Sequence, residues 1–226
     1  MLWLFYPQTL MLLIPAFILA IYAQSKVSST YRKYAQVPTQ NRVTAAQVVQ
    51  DMLSRAGVSG VGIEGITRRL GDHYDPRKKV LRLSAPNSYA VAAVGVAAHE
   101  AGHAIQHAQG YAPLALRTTI VPVASFGSQL AFPLFFIGLI FAWEPLLNAG
   151  LILFSVAVLF TLVTLPVEFN ASRRAVAALS QSGVVTREEL GGVKRVLSAA
   201  ALTYVAAAAT AIAQLLGMLL IAGRRR

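Results

Sequence analysis

The chain has no cysteine, which excludes disulfides, thiol catalysis and thiolate metal ligands, and leaves histidine and carboxylate as the metal-binding residues. A chain without cysteine is compatible with either side of a membrane, so redox compartment stays open. Charge is also scarce. Only 13% of the 226 residues are charged against 56% hydrophobic, far more apolar than a soluble globular domain, so the composition is that of a membrane protein. Histidine occurs only four times, and no aspartate follows Asp75. Acidic residues number 9 against 20 Lys and Arg, a net charge of +11. The basic residues are spread through loops without interleaved aromatics, which speaks against nucleic acid and for loops held against anionic lipid.

What is present is concentrated in one stretch. His99-Glu100-Ala101-Gly102-His103 stands in an Ala- and Gly-rich run with no proline between Asn87 and Gln109. Four residues of helix turn about 400°, so His99 and His103 leave one face a turn apart and can address a single metal ion. Glu100 falls beside that pair but off its stripe, the place for a general base acting on a water held at the metal. The five-residue pattern is weak alone. Here it gains weight because His99, His103 and His107, three of the four histidines, share one expected helix.

Around this stretch the chain divides readily. Residues 1–23 are expected to form a transmembrane anchor; Lys26 follows it and no basic segment precedes it, which favours an uncleaved span over a signal peptide. Residues 24–116 are expected to form a cytoplasmic metallopeptidase segment. In it, Thr44 and Gln47 make a capping-box pattern for a short helix, and Gly60 to Leu83 reads as a β-hairpin turning at Gly71-Asp72-His73-Tyr74-Asp75-Pro76. The strand just before the metal helix could align a peptide by strand addition or simply cap the domain. The metal helix is placed at about residues 88–109, with Asn87 or Ser88 as cap and Gly110 as stop.

Residues 117–167 read as a transmembrane hairpin, with spans near 119–143 and 146–167 joined at Glu144-Pro145. Residues 168–197 return to the cytoplasmic side, and 198–226 hold a fourth apolar helix and a basic tail. Positive-inside counting places the feet of the hairpin in the cytoplasm, since the loops on that side hold the Lys and Arg residues. Arg224-Arg225-Arg226 resists this scheme: a full last crossing puts it outside, unless that helix is re-entrant or steeply tilted.

The third ligand follows by elimination. Position 109 is Gln, which excludes the metzincin spacing. His107 lies two turns from His99, about 12 Å along the axis, too far to share one ion with it. It is placed as a support or substrate-facing residue, or as plain packing. Of the later acids, Glu144 sits at the turn of the hairpin, a bilayer thickness from its feet, and Glu188 and Glu189 belong to a helix start capped by Thr186. Glu168 remains, at the end of an apolar span where a carboxylate is costly without a partner.

Three blocks together, His99 to His107, Asp72-His73-Tyr74-Asp75-Pro76 with Val80-Leu81-Arg82-Leu83-Ser84, and Val167-Glu168-Phe169-Asn170-Ala171-Ser172-Arg173-Arg174-Ala175, resemble the YugP-like family of bacterial neutral zinc metallopeptidases. The resemblance covers nearly the whole chain and implies a multi-pass zinc peptidase of the bacterial cell membrane. A more distant similarity is to HtpX-like membrane proteases, in which an Asp four residues after the ligand Glu steadies a histidine. Here that position is Ser172, so the residue that orients His99 and His103 is left open among Asn170, Ser172 and a backbone carbonyl.

The expected fold is therefore mainly α: a multi-pass helical membrane protein with a gluzincin-like zinc helix and a small β-hairpin on the cytoplasmic side. The expected activity is zinc-dependent endopeptidase, with one Zn2+ per chain held by His99, His103 and Glu168, Glu100 as general base, and a peptide or protein substrate. Oxyanion help is open among Tyr111, Tyr89 and His107. Two other classes stay in view: a membrane scaffold or chaperone-like protein with a structural zinc, which predicts closed four-ligand coordination, and an intramembrane protease of the site-2 type, which needs a late aspartate this chain lacks. Transport is disfavoured by spans almost free of ionisable residues.

Overall fold

In the computed structural model, residues 7–68 and 70–223 are described. The Leu2 to Tyr6 part of the expected first span, Arg69 and the Arg224-Arg225-Arg226 tail lie outside them. The elements run α1 (Pro7–Tyr34), α2 (Ala45–Arg55), β1 (Gly62–Gly65), β2 (His73–Asp75), β3 (Val80–Leu83), α3 (Val91–Ala108), α4 (Ala112–Ile140), α5 (Glu144–Ser182) and α6 (Arg187–Gly223). Among the described residues, α1, α4, α5 and α6 are each long and apolar enough to cross a membrane. The chain separates into two compact units, one of 1–24, 115–166 and 202–226, the other of 25–114 and 167–201.

The first unit is built from membrane-length helix. Its core gathers Ala131, Phe135 and Leu139 of α4 with Leu147, Phe154 and Val158 of α5 and Met218 and Ile221 of α6. The α4–α5 turn closes tightly because glycine stands where the backbones meet: a Cβ on Gly150 would lie 2.6 Å from the Phe135 nitrogen, and one on Gly138 would strike the Leu147 backbone. Large apolar side chains such as Phe126, Ile140, Phe141 and Ile152 remain exposed, as lipid-facing positions require.

In the second unit, α3 is the central element, packed against α2, with α5 and α6 residues around it. Val91, Ala92, Val94, Ala97, Ala98, Ala101 and Ala104 are buried with Val48, Val49 and Met52 of α2 and Ala175, Leu179, Val193 and Leu197 from the later helices. Helix α2 opens with the expected capping box: Gln47 N donates to Thr44 Oγ1 and Thr44 N donates to Gln47 Oε1. Helix α3 departs at its start. Its N-cap is Ala90, which offers no side-chain cap, while Ser88 Oγ accepts from Ala90 N just before it. The first α3 amide is satisfied instead by Val91 N donating to Val37 O, beside a bridge between Pro38 and Ala90. Its end matches a Schellman motif at Gly110, whose φ is 62°, with Tyr111 N donating to Gln106 O and Gly110 N to His107 O.

The sheet differs from the expected hairpin. Its order is β1-β3-β2, with β1 parallel to β3 and β2 antiparallel to it. The stretch read as the turn contains strand β2, and the real turn follows Asp75, whose Oδ1 accepts from Arg77 N and Lys78 N. A Pro next to three polar residues reads as loop, yet pairing to β3 wins because Leu81 and Leu83 are anchored in the core. Strand β3, which directly precedes the metal helix, is consequently central and paired on both sides, so the free edge beside α3 belongs to β2.

Helices α5 and α6 outrun their apolar spans. The 39 residues of α5 rise about 58 Å, nearly twice a ~30 Å hydrocarbon core. Glu168 therefore lies within a continuing helix, two residues past Pro166, and not at its end.

Candidate metal centre

The 3.6-residue period of α3 brings His99 and His103 to one stripe, and α5 presents Glu168 to it. His99 Nε2 is 3.1 Å from His103 Nε2 and 3.2 Å from Glu168 Oε2, and His103 Nε2 is 3.6 Å from the same oxygen. The three side chains form a group that could hold a metal. The spacing fits zinc, because ligands arranged tetrahedrally at about 2.1 Å from the ion stand about 3.4 Å from one another. Two imidazole nitrogens and one carboxylate oxygen also suit it chemically. Glu168 is 2% exposed, a cost that a bare carboxylate in this setting recovers only through such partners.

The far nitrogens of both rings are held. Gln106, fully buried one turn beyond His103, accepts from His103 Nδ1 at 3.0 Å through Oε1. Its Nε2 donates to Val167 O at 2.8 Å and to Asn170 Oδ1 at 2.9 Å, which fixes the amide orientation. The Asn170 oxygen also accepts from Arg174 Nε, and Arg174 Nη1 donates to Gln109 Oε1. Because the Gln106 oxygen can only accept, His103 carries its proton on Nδ1 and turns a lone pair on Nε2 toward the group. His99 Nδ1 lies 3.1 Å from Ser172 Oγ. Of the three orienting residues left open, Ser172 meets His99 directly, Asn170 reaches His103 only through Gln106, and the Val167 carbonyl binds Gln106 and not a histidine.

Close approach of α3 to α5 makes this possible. A Cβ on Gly102 would lie 2.7 Å from Ala171 O. Glycine lets the α5 backbone come near enough for Glu168 and Ser172, on either side of Ala171, to reach the imidazoles.

Glu100 stands apart from the ligand group. It is buried, and its Oε2 accepts from Tyr74 N at 3.0 Å, so the carboxylate faces the edge of β2. Burial pushes its pKa above the ordinary 4.5, opposed by the two imidazoles and reinforced by the charges of Glu168 and Asp72. Asp72 is itself held by Ser84, whose N and Oγ both donate to its carboxylate. His107 meets Tyr74, with 2.9 Å between Nδ1 and the phenol oxygen. Tyr111 lies under the Arg174 guanidinium and Tyr89 under that of Arg42.

Sequence reasoning missed Gln106 and Tyr74. Gln106 carried a signal, since it sits three residues after His103 on the buried side of the same helix. Tyr74 carried none that spacing shows, because only the fold of the sheet brings it over α3.

Among the described residues, the fold and the group define a protein with four membrane-length helices and a His2Glu group, on two of its helices, that could hold a metal ion. The model of the family described as "putative neutral zinc metallopeptidase" matches residues 9–223, and the chain belongs to that family. It is 44% identical over 212 residues to the "putative membrane protease YugP" of Bacillus subtilis, an alignment spanning 93% of this chain and 94% of the relative. No solved structure matches it.

Proposed function

We propose that the chain is a membrane-embedded zinc endopeptidase of gluzincin type that hydrolyses peptide bonds, its site facing the cytoplasm and its substrate a membrane-associated peptide or protein. The observation that carries this reading is the three-atom group of His99, His103 and Glu168 with a fourth side chain, Glu100, beside it and outside it. A hydrolase needs that division, because the group that moves protons must be free of the metal. Bound zinc supplies electrophilic activation of the scissile carbonyl and of a water. Among the described residues the group has three members, whereas a structural zinc calls for four, so the scaffold reading is the weaker one.

The chain's own residues divide the remaining work. Glu100 takes the proton of the attacking water and passes it to the leaving amine. Tyr74 N–H holds one Glu100 oxygen and so aims the other, while Gln106 and Ser172 hold the imidazoles in register. The cytoplasmic placement rests on the Lys and Arg distribution, and the bacterial cell membrane on the B. subtilis relative.

The test is the full chain purified in detergent, loaded with zinc and assayed on labelled casein. Glu100→Gln keeps one zinc per chain and loses cleavage, and His103→Ala or Glu168→Ala loses both. Cleavage by the Glu100→Gln variant at the wild-type rate would overturn the reading.

A further inference from the structure

Tyr74 is held at two points on α3. Its backbone N–H donates to Glu100 Oε2 at 3.0 Å and its phenol oxygen lies 2.9 Å from His107 Nδ1, the two rings being 5.7 Å apart and inclined at 52°. Glu100 and His107 are seven residues apart, which is about 20° short of two full turns, so one stripe of the helix carries both. His103 projects about 40° from His107 on that surface, and His99 a further 40° or so on. The tyrosine thus runs along the helix beside the ligand stripe, on the side of Glu100, from the level of the carboxylate to one turn past His103.

Exposure separates this pair from the buried supports. Gln106 is fully buried, whereas His107 is exposed and Tyr74 only partly covered, so a substrate can reach the phenol. The site as described has a proton acceptor in Glu100 but no side chain offering a hydrogen bond to the oxygen of a scissile carbonyl, where negative charge develops during attack. The rings of Tyr111 and Tyr89 lie against the Arg174 and Arg42 guanidinium groups.

The geometry points to Tyr74 as a further catalytic residue: the phenol donates to the carbonyl oxygen of the scissile peptide while His107 Nδ1–H donates to the phenol oxygen. This rests on the peptidase reading above. No proton is transferred; the phenol stays protonated throughout and His107 sets which way its hydrogen points. Burial and the neighbouring Asp75 charge raise the phenol pKa above 10.0, which keeps it a donor. With His107 donating, the phenol hydrogen is free for the substrate; with a hydrogen-bond acceptor alone in its place, the phenol hydrogen is consumed internally.

The experiment compares wild type, Glu100→Gln, Tyr74→Phe and His107→Ala as full-length zinc-loaded protein in detergent, on labelled casein and with a phosphinic pseudotripeptide that mimics the tetrahedral oxyanion. Tyr74→Phe keeps its zinc and its melting temperature, keeps KM within about twofold and lowers kcat about 100-fold, the scale of one lost oxyanion donor. Its affinity for the phosphinic probe falls at least tenfold by calorimetry. His107→Ala loses less, about tenfold in kcat, because the phenol remains but is no longer oriented. Equal kcat and probe affinity in wild type and Tyr74→Phe, with cleavage still dependent on Glu100, overturn the role of Tyr74 alone. Loss of zinc or of folding in Tyr74→Phe also overturns it, in favour of a structural bond. Cleavage in the wild type that does not depend on Glu100 removes the peptidase reading and this inference together.

Discussion

Adding one methyl group at Gly102 tests whether helix contact sets the ligand geometry. A Cβ there would lie 2.7 Å from Ala171 O and 3.2 Å from both its carbonyl carbon and Cα, all backbone atoms that cannot rotate away. Restoring an ordinary contact of about 3.4 Å moves α5 outward by about 0.7 Å. Glu168 lies one turn before Ala171, so this displacement passes almost undiminished to the ligand oxygen, while metal–ligand distances tolerate about 0.2 Å. The stability cost is small by comparison. Overpacking costs about 1–3 kcal/mol, and exchanging Gly for Ala inside a helix returns about 1 kcal/mol.

Gly102→Ala is therefore expected to fold, with a melting temperature lowered by no more than a few degrees, and to bind zinc about 10- to 100-fold more weakly, the scale seen when outer supports of a metal site are lost. Gly95→Ala is the control. It lies two turns earlier on the same helix and gains the same propensity, but its Cβ would meet Val193 Cγ1 at 3.2 Å, a side-chain contact 0.5 Å longer than the backbone contact at Gly102. Competition against a chromophoric chelator measures both. Zinc affinity in Gly102→Ala within twofold of wild type, or an equal loss in Gly95→Ala, refutes the argument.

Two further outcomes follow from the hydrogen-bond chain and from the charge on the ligands. Gln106→Leu strands His103 Nδ1 in a buried site and takes one donor each from Val167 O and Asn170 Oδ1, the latter keeping Arg174 Nε, so it is expected to weaken zinc binding at least tenfold and to cost about 2 kcal/mol, read by chelator competition and thermal melting. In the metal-free protein, burial works against the charged form of His103, but the Glu168 hydrogen bond and the Glu100 charge outweigh it and raise its pKa above 6.5. Zinc must displace that proton, so affinity is full at alkaline pH and starts to fall before the pH has dropped to about 6.5; titration from about pH 8 to about pH 6 that stays flat over the whole range contradicts this.

How far the site was legible depends on which residues owe their place to local periodicity. His99, Glu100 and His103 were placed by the turn of one helix, and Glu168 by the shortage of acids after Asp75. Gln106 obeys the same helical geometry, but an amide carries no chemical signature, and only its three partners show what it does. The sheet was harder. A parallel β1–β3 pair with β2 added at its side presents the same alternation as a simple hairpin, and a strand of only three residues beside Pro76 presents almost none. Because Tyr74 reaches α3 through that sheet, its relation to Glu100 and His107 was hidden with it. Helices α5 and α6 run past the apolar spans because hydropathy marks where a helix leaves lipid, not where it stops.

These features bear on one another through α5. Within little more than a single turn it delivers a ligand at Glu168, the carbonyl contact of Ala171 with Gly102, and the Ser172 hydroxyl to His99, while Asn170 anchors the amide that fixes His103. Any tilt or slide of that helix changes the ligand set and the orientation of both imidazoles at once. The hydrogen bond between Tyr74 and Glu100 joins that pair to the sheet edge and not to α5. On the proposed reading the metal-holding and proton-moving halves sit on separate supports that share α3, so disturbance of α5 is expected to appear first as lost metal, and disturbance of β2 as lost turnover with the metal retained.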